Sequence, residues 1–74
     1  MRRITIRTDN VVLDRSTPRS SIVIGHGFDI ATGEEVIFTA DIRIMAPVTN
    51  AMARGEVVDC AIEPWQVLSR NAVA

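Results

Sequence analysis

The stretch IVIGHGFDIATGEEVIFTADI, residues 22–42, decides the fold. Ile22, Val23 and Ile24 form a β-branched run that suits a buried strand and continues through Gly25, His26, Gly27 and Phe28. Thr32 and Gly33 supply a turn. Beyond it Val36, Phe38, Ala40 and Ile42 fall on one face, and Glu35, Thr39, Asp41 and Arg43 on the other, with Ile37 as the exception. Alternation of period two on both sides of a glycine-containing turn predicts a β-hairpin over residues 22–42.

Upstream, Ile4 and Ile6 alternate with Arg3, Thr5 and Arg7, the pattern of a strand with one wet face over residues 3–8. Asp9 and Asn10 read as a turn, Val11 to Leu13 as an extension of the sheet, and residues 14–21 as an exposed loop without periodicity. Downstream, the period changes. Met45, Val48 and Met52 recur at helical spacing, Pro47 suits a first turn, and Arg54 followed by Gly55 supplies a stop, so a short helix is expected over residues 46–54. Val58, Cys60 and Ile62 alternate as another strand. Pro64 interrupts it, leaving Trp65 to Leu68 as a bent continuation or a separate edge strand, before a frayed tail at residues 70–74.

These parts predict one small domain over residues 1–74. It is mostly β with one short helix, an α+β chain forming a small, partly open barrel, OB-like or SH3-like, with the helix inserted before the last strand. The chain has 74 residues and 47% hydrophobic composition, enough for a single core and no more. Cys60 is the only cysteine, so no disulfide reinforces that core, and a homodimer is one way of burying more surface. No segment approaches the roughly 18–20 apolar residues of a membrane span, and the N-terminus lacks the apolar run of a signal peptide. A cytoplasmic protein is expected.

Net charge is −1, but the signs are segregated. Residues 1–19 carry five arginines against two aspartates, and the remainder three arginines against seven acids. The first reading is a basic strand laid beside acidic neighbours; the alternative makes Arg2, Arg3 and Arg7 the candidate nucleic-acid contacts. Three aromatic residues, Phe28, Phe38 and Trp65, and no tyrosine disfavour a stacking platform for single strands.

The remaining chemistry is sparse. Gly25-His26-Gly27 lacks the third glycine of a dinucleotide fingerprint and lies inside a strand pattern, where paired glycines mark a bulge or bend. His26 is the only histidine, with Asp29 three residues on as a potential partner, and no spacing resembles a metal site. Cys60 falls on a buried face beside Asp59 and near Glu63, the wrong setting for a reactive thiol. Glu34 and Glu35 alternate to opposite faces and make a poor catalytic pair. No cofactor, metal or catalytic residue is expected, and the chain reads as non-enzymatic. Ile37, Val57 and Val23 are apolar on faces expected to be wet; they mark a partner surface, or both faces of those strands are covered. Ile37 and Val57, with Trp65 as an anchor, are the candidate protein-binding residues.

Gly27-Phe28-Asp29, Thr32-Gly33-Glu34-Glu35-Val36-Ile37-Phe38, a short helix ending at Arg54-Gly55-Glu56, and Glu63-Pro64-Trp65-Gln66-Val67-Leu68, in a lysine-free chain, resemble small uncharacterised accessory proteins of actinobacteriophages. The resemblance covers about residues 25–70 and carries no functional residue with it. It implies a viral accessory protein that acts by binding a host or phage protein or by self-association. The alternatives are a nucleic-acid-contacting regulator using the arginine-rich first strand and a small virion structural component.

Overall fold

The computed structural model describes residues 3–14 and 21–72. Five strands and one helix follow in the order β1 (Ile4–Leu13), β2 (Ile22–Asp29), β3 (Glu35–Asp41), α1 (Ile42–Ala53), β4 (Val58–Ile62) and β5 (Val67–Asn71), with a 3-10 turn at Pro64–Gln66 before the last strand. The strands form one sheet ordered β4-β1-β2-β3-β5, antiparallel at every pairing.

Residues 22–41 make the predicted hairpin, with Gly25 opposite Phe38 and Gly27 opposite Val36. Its loop is closed by Gly33 N–H donating to the Asp29 carbonyl (2.7 Å), and Gly33 takes the positive φ of 76° that glycine tolerates without steric cost. Paired positions share a face, so the inner face collects Ile6, Val23, Val36, Phe38, Ala40 and Ile62, over which Met45 of α1 closes. Burial of each large member of this set stabilises the fold by about 1.5–3 kcal/mol. Val23, expected on a wet face, is part of this core because it pairs with Ala40 and Leu13 on the helix side of the sheet.

Other departures have identifiable causes. Asp9 and Asn10 do not turn the chain; β1 runs straight through them, and Asp9 is the extra residue of a β-bulge between Thr8, opposite Gly27, and Asn10, opposite His26. The Gly25-His26-Gly27 segment is regular strand, and the bulge lies across from it. Gly25 is needed because a Cβ there would lie 2.3 Å from Cζ of Phe38. The helix begins at Ile42, because the Asp41 carboxylate accepts from the Arg43 N–H (2.8 Å) as its N-cap. Pro47 therefore sits inside the helix rather than in its first turn. The stop matches expectation. Glu56 N–H donates to Ala51 and Gly55 N–H to Met52, with Gly55 at φ 80°, which is a Schellman motif.

The helix precedes the last two strands rather than the last one alone, because Pro64 ends β4 and the chain resumes as a separate edge strand. β4 and β5 lie at opposite edges of the sheet. A flat five-stranded sheet would hold them about 19 Å apart. The short link through the 3-10 turn covers only about 13 Å, so the sheet curls to bring its edges together as a partly open barrel. β5 extends through Asn71, into the expected tail, because Arg70 and Asn71 pair with Val36 and Glu35. Of the expected loop at 14–21, residues 15–20 fall outside the described residues, as does Arg2. Among the described residues no helix is long and apolar enough to cross a membrane.

Candidate interaction cleft

Where the curled sheet fails to close, a cleft of about 470 Å³ opens between the end of β3, the start of α1, and β4 with its following turn. Its apolar floor is Ala40, Met45, Cys60 and Ile62. The Cys60 thiol faces the Met45 sulfur at 3.6 Å, and burial pushes its pKa up. Two large side chains stand on the walls, Ile44 at 74% exposed and Trp65 at 73%. Trp65 is held out by the geometry of its turn. The Gln66 side chain accepts from Glu63 N–H and donates to the Thr39 carbonyl, both at 2.8 Å, which fixes the turn against β3. Such paired contacts leave Trp65, one residue earlier, projecting into solvent.

The sequence-expected residues do not converge. Trp65 lines the cleft; Val57, 73% exposed, lines a separate hollow with Phe28 and Met52; and Ile37 is half-buried on the outer sheet face, opposite His26 and Ser69. Sequence reading missed Ile44. Its position continues the period-two alternation of Val36, Phe38, Ala40 and Ile42, whereas in the structure the Asp41 cap has already ended the strand there.

The described arginines of the first strand are paired with acids. Arg3 pairs with Glu63 (3.4 Å) and Arg7 with Asp59 (3.1 Å), while Arg43, Arg54 and Arg70 each meet a carboxylate within 3.3 Å. Every arginine among the described residues is thus matched by an acid. Arg7 of β1 lies directly opposite Asp59 of β4, a basic strand beside an acidic neighbour.

Two polar clusters complete the inventory. Asp29, 5% exposed, receives Arg70 Nη1 at 2.9 Å and the Ala31 N–H at 2.9 Å, and the same nitrogen reaches Glu34 at 2.8 Å. The Arg70 guanidinium holds the Asp29 carboxyl below its ordinary pKa. On the outer face His26 lies between Asp9 and Glu35 rather than near Asp29, whose neighbouring position in the strand points to the opposite face. Glu34 and Glu35 do separate to opposite faces, Glu34 paired with Arg70 and Glu35 3.2 Å from the His26 ring. Among the described residues no group of three His, Cys, Asp or Glu side chains could hold a metal ion. Comparison of the chain with protein-family models, curated proteins and solved structures finds no match.

Proposed function

We propose that the chain is a small protein-binding module that receives an apolar segment of a partner protein in the cleft, with Ile44 and Trp65 as its anchors. The observation that carries this reading is that two large, mostly exposed apolar side chains line the same cleft as the buried Ala40, Met45 and Ile62. A large exposed aromatic beside an apolar pocket, rimmed by polar groups such as the Arg3–Glu63 pair, is the anatomy of an interface hot spot. The pairing of Arg3 and Arg7 with acids supports a protein over a nucleic acid as the partner. A non-enzymatic role fits the same chemistry: both ring nitrogens of His26 are engaged by carboxylates, and the only thiol is partly buried with a raised pKa. A phage accessory protein, acting on a host or phage target in the host cytoplasm, is the setting the resemblance suggests.

Peptides selected against the immobilised protein from a displayed library test this. Trp65 is the only tryptophan, so its emission should shift to the blue when a selected peptide seats. Ile44→Asp and Trp65→Ser should each weaken binding at least about tenfold while changing stability by less than about 0.5 kcal/mol, as exposed positions do. Val57→Asp and Ile37→Asp, away from the cleft, should retain binding. Full binding by Trp65→Ser, or a stable homodimer that Ile44→Asp fails to disrupt, would overturn the assignment. Cys60 gives an independent readout: a thiol reagent should label it more slowly in the folded chain than in the unfolded one, and more slowly still with peptide bound.

A further inference from the structure

We propose that His26 stands as an imidazolium at neutral pH and acts as a pH-operated latch across the outer face of the sheet, tying β1 and β3 to β2 while charged and releasing one of them when it loses its proton. The geometry requires two donors. His26 Nδ1 lies 2.5 Å from Asp9 Oδ1 and Nε2 lies 3.2 Å from Glu35 Oε2. An ionised carboxylate can only accept, and a neutral imidazole carries one N–H, so both contacts are satisfied together only when both ring nitrogens are protonated.

The arrangement is built by the bulge. In an uninterrupted β1 the residue opposite His26 would present a single side chain; the extra residue places Asp9 beside Asn10 against the same histidine. Glu35 arrives from β3, two positions from Ile37, which pairs directly with His26, and so shares its face of the sheet. On its own strand, Phe28 packs edge-on to the imidazole with ring centroids 5.7 Å apart. Arg7, on this face of β1, is already matched by Asp59. Arg70, beyond Glu35 in the sheet, turns to the inner face to meet Asp29 and Glu34. The ring is therefore the charge that separates two carboxylates, and their hydrogen bonds, Asp9 first and Glu35 second, raise its pKa against the opposing effect of burial.

The sign of the pH response follows. A histidine whose folded pKa is raised contributes stability that is fully present below its unfolded value, about 6.5, and is lost as pH rises through the folded value. Deprotonation leaves a neutral ring able to donate to one carboxylate only, so the Asp9 bulge or Glu35 comes free.

Long-range proton–nitrogen correlation spectra of the imidazole, followed through a pH titration, test this. The expected result is that both ring nitrogens are protonated at pH 7, with a midpoint above that of free histidine. Asp9→Asn should lower that midpoint more than Glu35→Gln does. Amide exchange at residues 8–10 should accelerate beyond the base-catalysed background as the same transition is crossed. A neutral tautomer at pH 7, or a midpoint that Asp9→Asn leaves in place, would overturn the proposal.

Discussion

Gly25→Ala is expected to destabilise the protein by about 1–3 kcal/mol, the usual penalty of overpacking a filled core, and Phe38→Leu in the same chain is expected to recover much of that loss. An alanine Cβ at position 25 would lie 2.3–2.7 Å from three atoms of the Phe38 ring, which is fully buried and has nowhere to retreat. The reduced entropy of an unfolded chain with alanine in place of glycine offsets only about 0.4–1 kcal/mol, so the clash wins. Leucine lacks the outer ring atoms that the new methyl meets. Phe38→Leu alone leaves part of a void, so the two changes should be strongly non-additive in a double-mutant cycle. Gly27→Ala provides the contrast. Its Cβ would lie 2.3 Å from the Arg7 carbonyl oxygen, a backbone atom, and no side-chain substitution can make that room. For a chain of this length, total stability is about 4–11 kcal/mol, so these losses are readily measured by urea unfolding. Additive losses in the Gly25/Phe38 pair would refute the packing account of the two strand glycines.

Arg70→Met is the second large expectation, a loss of about 2–3 kcal/mol. The methionine keeps the apolar stem but strands the Asp29 carboxylate at 5% exposure, with the Ala31 N–H still donating to it. The remaining N–H bond and the partial exposure of Arg70 place the value below that of a fully buried pair. The pH dependence follows from the same contact. In the native protein the Asp29 pKa is lowered by Arg70, so its contribution is present above the unfolded value of about 3.9 and disappears as pH falls through the folded value. Without Arg70 the folded pKa rises from its lowered value, with burial opposed only by the Ala31 and Thr32 N–H groups. Acidification then costs the variant less than the native protein, and the deficit of Arg70→Met should shrink instead of persisting. A deficit that is equal at pH 7 and pH 4 would contradict this role for the pair.

Much of the fold was legible because period-two alternation survives wherever one face is buried. The hairpin at 22–41, the strand at Val58–Ile62 and the Arg54-Gly55 helix stop all follow from local rules. The helix start was hidden for a specific reason. Ile42 and Ile44 extend the alternation of β3, and only the Asp41 side chain, bonded to the Arg43 N–H, shows that the chain has begun to coil. Asp9-Asn10 reads as a turn because both residues favour one, and a bulge is set by the partner strand, which local sequence does not contain. The cleft was half visible. Trp65 beside Pro64 announced itself, whereas its opposing wall, Ile44, depended on the misplaced helix start, and the meeting of β4 and β3 depends on curling of the sheet. The Asp9–His26–Glu35 cluster spans three strands, and its residues share no spacing that a linear reading could detect.

The most direct test of the central claim is chemical-shift mapping of the isotope-labelled protein titrated with peptides selected for binding to it. The cleft account predicts that perturbations concentrate at Ala40, Ile44, Met45, Cys60 and the Trp65 indole, and that Ile44→Asp abolishes them without altering the rest of the spectrum. Perturbations centred on Phe28 and Val57, or on the outer sheet face around Ile37, and unaffected by Ile44→Asp, would contradict it.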